Sequence, residues 1–201
     1  MAAPRKENVK ELILDSAESL LENKKTTDIS LAEIARTAGV SKGTLYYHYK
    51  NKNEVFLDLT NRYLEEQWNN LIAWTTDESK DTSLHRLVKY VLERDISTVR
   101  MRLHFFYDAM MGNEEIRQKL LSWYSRFAGL IGEKIGERTQ IIDPEYLSWL
   151  ILLLSDGLFI HQTLQNSNLD TETFITQTSE YMKLLNKHQA APSPKAPPEP
   201  K

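Results

Sequence analysis

The chain has 201 residues, 41% of them hydrophobic and 26% charged, with 28 acidic against 25 basic side chains and a net charge of −3. That length holds one large domain or two small ones, and a globally acidic protein is not drawn to nucleic acid by bulk charge, so such binding would need a local basic face. Cysteine is absent, which excludes disulfide frameworks, thiolate zinc sites and cysteine nucleophiles and suits a reducing cytoplasm.

The opening residues, MAAPRKENVKELI, contain no apolar signal core and run, after Pro4, into an amphipathic segment. Val9, Leu12, Ile13, Ala17, Leu20 and Leu21 recur at three- and four-residue steps, which predicts a helix over about Lys6 to Glu22 with one apolar stripe. A polar loop from Asn23 to Asp28 leads to SLAEIARTAGVSKGTLYYHYKNKN, residues 30–53. Ser30 followed by Glu33 is a capping box, so a helix begins at Leu31 and turns Leu31, Ile34, Ala35 and Ala38 inward. Gly39 ends it, because a left-handed backbone is cheap only for glycine. Val40 fills the corner, Ser41 caps the next helix, and Leu45 and Tyr49 face inward. Two short helices joined this way, over about residues 31–50, form a helix-turn-helix, whose second helix normally enters the DNA major groove.

Charge agrees with that reading. Arg36, Lys42, Lys50 and Lys52 fall between Ile34 and Asn53 without a carboxylate among them. Ser41, Thr44, Tyr46, His48 and Lys52 carry hydroxyl, imidazole and ammonium donors suited to phosphate oxygens. Lys42, Gly43 and Tyr47 occupy the early and middle face, where base edges are reached, and Arg36 could meet a guanine with two guanidinium donors. A helical hairpin with a merely solvated basic face is the alternative, as is a core role for Tyr46 or Tyr47.

Asn51 with Glu54 is a second capping box. It opens a helix carrying Val55, Phe56, Leu59, Tyr63 and Leu64 and continuing past Trp68 to Ala73, long enough to belong to two domains. After a loop from Thr75 to Thr82, helical segments follow over Ser83–Met111, with a break near Asp95, and over Glu114–Arg138. Gly112-Asn113 is the stop-and-recap signal between them. Asp143-Pro144 opens a helix to Gln165, and another covers Thr171–Lys187. No run alternates with a period of two, so the expected fold class is all-α. Five of the seven prolines lie in the last ten residues, which read as a disordered or polyproline-like tail. The expected division is therefore a DNA-binding domain over 6–66, a larger helical domain over 67–188 and a Pro-rich tail over 189–201.

The segment YLSWLILLLSDGLFIHQTL is apolar nearly all round. One face should pack within its own domain and another, including Leu154, Leu158 and Phe159, on a second subunit; a monomer with a deeply buried central helix is the alternative. Its longest apolar run, Trp149 to Leu154, is too short to span a bilayer, so no membrane partner is expected. A small-molecule pocket needs apolar walls with a few convergent polar groups. His104, Phe105, Tyr107 and Asp108, with Trp123, Phe127 and His161, supply that chemistry, although a helical aromatic stripe also serves as ordinary core. His104 and Asp108 are spaced as two metal ligands, but no HExxH motif or third ligand accompanies them. No metal or cofactor is expected, and no phosphate loop, nucleophile elbow or paired-carboxylate motif supports catalysis. A helical-bundle enzyme and a DNA-bound adaptor that recruits a protein remain the alternatives to a regulator.

The segment KGTLYYHYKNKNEVF, preceded by ISLAEIARTAGVS, resembles the TetR family of bacterial transcriptional regulators. The resemblance is strong over roughly residues 8–65 and architectural beyond. It implies an amino-terminal three-helix DNA-binding domain and a larger helical domain that dimerises and binds an effector. It also implies that Thr44, Tyr46, His48 and Lys52 hold the phosphate backbone. The expected protein is a cytoplasmic homodimer, a repressor of a palindromic operator released by a small apolar or amphipathic effector.

Overall fold

The structure is a computed structural model that describes residues 6–94 and 99–187, with the backbone alone for 6–8, 99–100 and 186–187. In chain order its helices are α1 (Lys6–Leu21), α2 (Leu31–Thr37), α3 (Lys42–His48), α4 (Lys52–Thr75), α5 (Leu84–Glu93), α6 (Val99–Met110), α7 (Glu114–Gly136), α8 (Pro144–Thr163) and α9 (Thr171–Lys187), with a 3-10 turn at Thr26–Asp28. Among the described residues there is no strand. The expected break near Asp95 and the Pro-rich tail lie outside the described residues.

The helix boundaries follow their capping chemistry. Ser30 Oγ accepts the Glu33 amide at 3.2 Å, Asn51 Oδ1 accepts that of Glu54 at 3.0 Å, and Asp143 Oδ1 accepts that of Tyr146 at 2.7 Å. Each satisfies a donor that a helix start leaves unpaired. The Glu54 carboxylate reaches back to the Lys50 amide at 2.8 Å, a position just before the cap. Gly39 and Gly112 take φ of 66° and 99° where α2 and α6 end, the left-handed conformation that only glycine adopts without strain.

The described residues pack as two compact units, 6–72 with 99–126, and 73–94 with 127–187. Packing thus does not follow chain order: α6 and the first part of α7 belong with the head, although both lie beyond the residue-66 boundary read from sequence.

In the first unit Ile13, Ala17, Ile34, Leu45, Val55, Phe56, Leu59, Phe105 and Ile116 form the core. The buried stripe of α1 is Val9, Ile13, Leu14, Ala17 and Leu21, whereas Leu12 is exposed and Leu20 only half-buried. The stripe is rotated from the expected one, toward Leu14 and Ser16 and away from Leu12 and Leu20. Arg62 on α4 ties the outer face of α1 in place. Its guanidinium donates to Glu11 (2.9 Å), Asp15 (2.6 Å) and Glu18 (2.6 Å), three carboxylates on one face of α1. Nearby, Lys10 pairs with Asp58 at 2.5 Å, and the buried Tyr49 hydroxyl donates to Asp58 at 2.9 Å.

In the second unit α5 buries Leu84, Leu87, Val88, Val91 and Leu92 and packs with α8 and α9. Ser179 Oγ on α9 donates to the His85 carbonyl at 2.9 Å. Arg138 closes the far end, its guanidinium bonding the Thr82 carbonyl and, at 3.1 Å, the Thr82 hydroxyl. On α8 the expectation for Leu158 and Phe159 needs correction. Both are 4–5% exposed and belong to the core of their own chain, and Leu154 is half-buried. Helical periodicity puts Ile151, Ser155 and Leu158 on one inward face, leaving Trp149, Leu153, Ile160 and Leu164 exposed, with Tyr146 at the helix start.

A Cβ built on Gly39 meets nothing within 4 Å, so Gly39→Ala should cost about 1–2 kcal/mol through backbone strain alone, read as a lower midpoint in urea unfolding. Burial, and then the hydrogen bond to Asp58, raise the Tyr49 pKa. A raised phenol pKa stabilises the fold below the unfolded value of about 10, and this contribution fades as pH climbs above it. Tyr49→Phe should therefore lose about 1.5 kcal/mol at neutral pH and show a shallower decline in melting temperature above pH ~10 than the parent.

Candidate nucleic-acid interface

The turn between α2 and α3 is built from backbone bonds that leave the recognition helix rigidly placed. Val40 N–H donates to the Ala35 carbonyl at 3.0 Å and Gly39 N–H to that of Arg36 at 3.2 Å, the paired closure that a left-handed residue after a helix permits. Ser41 Oγ then accepts the Thr44 amide at 3.0 Å and shares a 2.8 Å hydrogen bond with the Thr44 hydroxyl. One of the two hydroxyl hydrogens is consumed between them, and the other can turn outward.

From this start α3 divides into two faces. Leu45 is 1% exposed and Tyr49, just past the helix, 3%, whereas Tyr46 and Tyr47 are 57% and 69% exposed. Both tyrosines left open between core and surface therefore lie on the surface. Ser41, Lys42 and Gly43 are exposed as well, Thr44 and His48 half-buried. The His48 ring meets that of Tyr47 edge-on at 5.2 Å. Arg36 extends from α2 with 78% of its side chain exposed, and its ion pair with Glu33 is long, 3.6 Å. The hydrogen bond from Lys24 (2.6 Å), with the charges of Lys24 and Arg36, holds the Glu33 carboxyl below the ordinary value. Arg36 is thus only loosely leashed to its own helix.

Lys52 departs from expectation. Its half-buried side chain turns inward, and its ammonium donates to the carbonyls of Thr26 (3.0 Å), Thr27 (3.2 Å) and Ile29 (3.4 Å). An ammonium has three donors, and all three are engaged on the 3-10 turn, whose carbonyls converge on it. Lys52 braces the head from within and does not present its charge outward. Lys50, exposed between α3 and α4, takes its place among the outward cations. Its charge was visible in the sequence, but its direction was not.

The residues expected to line an effector pocket are scattered. His104 Nε2 donates to the Leu21 carbonyl at 3.2 Å, and Asp108 accepts from the Thr26 hydroxyl at 2.8 Å, so both tie α6 to the head. They border different clefts. Tyr107 and Asp108 line one of about 660 Å³ with Thr26, Lys52 and Glu115. His104 lines one of about 650 Å³ with Leu21, Lys25 and Leu103. Phe105 is 1% exposed and packs on Tyr63 at 5.9 Å; Trp123 is 4% exposed and meets Trp68 at 6.0 Å. In the second unit Phe127 is buried under the Arg94 guanidinium at 4.8 Å. His161 is exposed near the end of α8, bonded to the Asn166 side chain at 2.9 Å. Among the described residues no group of three or more His, Asp or Glu could hold a metal. No helix among them is long and apolar enough to cross a membrane.

Comparison with known proteins converges on the same head. A family profile described as "Bacterial regulatory proteins, tetR family" matches residues 13–59. The chain is 31% identical over 144 residues to the nucleoid occlusion factor SlmA of Vibrio cholerae serotype O1, an alignment covering 69% of this chain and 72% of that protein. It is 22% identical over 174 residues to the HTH-type transcriptional regulator BetI of Rhizobium meliloti, covering 85% of each. A transcriptional regulator of Saccharomonospora viridis, solved in complex with choline, shares the fold with a TM-score of 0.74 at 17% identity, over 88% of this chain and 96% of that one. The last two carry the description of transcriptional regulator, and regulators of this family are not enzymes. With a helix-turn-helix closed at Gly39 and an exposed recognition face on α3, the chain belongs to the TetR family of bacterial regulatory proteins and is a DNA-binding transcriptional regulator.

Proposed function

We propose that the protein acts in the cytoplasm as a homodimeric repressor of a palindromic operator, released when a small organic effector binds. The observation that carries the DNA reading is the division of α3 into a buried face and an exposed face of Lys42, Gly43, Tyr46 and Tyr47. Ser41, Thr44, Tyr46, His48 and Lys50 are assigned to the phosphate backbone, and Arg36, Lys42, Gly43 and Tyr47 to base edges. Two such helices related by a two-fold axis reach half-sites about 34–36 Å apart, or a multiple of that. The exposed apolar positions of α8, with Tyr181, Leu184 and Leu185 of α9, supply the surface for the second subunit. An effector that favours the wrong separation of the heads weakens operator binding by a coupling of about 1–3 kcal/mol.

A second reading has an observation of its own. Leu103, Tyr107 and Met110 along α6, and Met111 just past its end, are exposed, an apolar stripe that suits a protein partner, and similarity to a nucleoid occlusion factor accords with an adaptor role. Selection of duplexes from a random pool, followed by anisotropy titrations with candidate metabolites, separates the two. A repressor yields a palindrome and an effector that lowers affinity for it. An adaptor yields DNA binding that no small molecule alters.

The placement of cations makes a sharper test. Lys50→Ala should reduce the slope of log affinity against log salt by about one unit, as loss of a phosphate contact does. Lys52→Ala should leave that slope unchanged while lowering the melting temperature, since its ammonium serves the protein's own carbonyls. A reduced slope for Lys52→Ala would mean that the lysine swings out onto DNA.

Assembly is tested on the surface of α8. Leu153 is 64% exposed and Ile160 52% exposed, so Leu153→Asp with Ile160→Asp should leave the monomer folded, yet a buried unpaired charge at a subunit contact is strongly unfavourable. Sedimentation should show monomers, and operator affinity should fall at least tenfold. A folded dimer with full affinity would move the interface elsewhere.

A further inference from the structure

The first unit contains a cation set against two aromatic faces. Trp68 on α4 and Trp123 on α7 stand 6.0 Å apart with their planes at 64°, two walls of a corner. The Arg126 guanidinium carbon lies 4.6 Å from the centre of the Trp68 ring and 3.9 Å from that of Trp123. Arg126 is an exposed residue while Trp123 is buried, and among the described residues its guanidinium forms no ion pair. Its guanidinium thus lies against the negative faces of two indoles, the arrangement that proteins use to bind organic cations. Beside Trp68 on α4 stands Gln67, 6% exposed, whose Oε1 has no hydrogen-bond partner. A buried carbonyl oxygen without a donor is costly and uncommon in a folded protein.

We propose that the Trp68–Trp123 corner is the cation subsite of the effector site, that Arg126 is its resident occupant in the absence of ligand, and that Gln67 Oε1 receives a donor from the ligand. The inference rests on the effector-responsive reading above and gives that effector a class: a small organic cation, such as a quaternary ammonium, carrying a hydroxyl or amide donor. Displacement is chemically simple. Arg126 is three residues beyond Trp123 on one helix, so a rotamer change returns its guanidinium to water. The incoming cation takes over both indole faces and is less tightly hydrated than a compact ammonium, which favours its transfer from water. Because Trp68 lies on the same helix as Arg62 and its three carboxylate partners on α1, a ligand seated there bears on the helix that holds the head.

The test uses the full chain and its intrinsic tryptophan fluorescence, titrated with choline chloride, with tetramethylammonium chloride, and with 3,3-dimethylbutan-1-ol, a neutral molecule of the same shape as choline. Potassium chloride holds ionic strength constant. Choline should quench saturably and bind at least tenfold tighter than the neutral alcohol. Arg126→Gln, a surface change that leaves the core intact, should tighten choline at least threefold by removing the resident competitor. Gln67→Leu should erase the preference for choline over tetramethylammonium, and Trp68→Leu should lose binding. Equal binding of choline and the alcohol, no saturable response, or an Arg126→Gln protein that binds choline no tighter than the parent each overturns the proposal. Arg126→Gln decides the matter even if Trp68→Leu fails to fold. Anisotropy on operator DNA in the same samples separates the two levels: no binding to any duplex refutes the repressor reading, whereas DNA binding without a cation response refutes the subsite.

Discussion

Helices of seven residues do not persist alone in water, and both helices of the recognition unit are of that length. Everything else in the first unit supplies what they lack. Caps at Ser30 and Ser41 and the closure over Gly39 satisfy their ends, while Ile34, Ala35 and Leu45 give them a core against α1 and α4. The long helix α4 is the frame for this arrangement. At its start it carries Lys52 beneath the 3-10 turn, further along Asp58 beneath Tyr49 and Lys10, and then Arg62 against α1. A single helix thereby fixes the turn before α2, the residue after α3 and the outer face of α1.

Helix α6 enters the same framework from a distant part of the chain. Thr26, whose carbonyl receives Lys52, gives its hydroxyl hydrogen to Asp108, so the 3-10 turn is gripped by α4 through its backbone and by α6 through a side chain. His104 adds a second bond from α6, to the last residue of α1. Both side chains can hydrogen-bond, which a ligand pocket would also require. The structure uses that capacity to attach a helix to the head.

What could be read from the sequence was what depends on near neighbours. Capping boxes at Ser30 and Asn51, the Asp143-Pro144 start, the glycine stops at 39 and 112 and the limits of α9 are all decided within a few residues. The two faces of α3 followed from the spacing of Leu45 and Tyr49. Direction was harder. Lys52 belongs to a basic run, and nothing within that run reveals three carbonyls waiting some two dozen residues upstream. On α8, apolar side chains surround the helix, so periodicity supplies no preferred face, and Leu158 and Phe159 could not be distinguished from Leu153 and Ile160. The return of α6 to the head is a long-range pairing with no local signature. The orphan carbonyl of Gln67 is visible only once the packing around it is known.

The carboxylates gathered on Arg62 have one further consequence. Glu11, Asp15 and Glu18 lie on a single face of α1, where they would repel one another without the guanidinium, and all three side chains are substantially exposed. Dissolved ions screen that bracket as they screen phosphate contacts. Ionic strength therefore acts twice on this protein, on its grip of the duplex and on the stiffness of the head that grips. A salt titration of DNA affinity consequently counts some of the protein's own ion pairs together with those it makes to the nucleic acid.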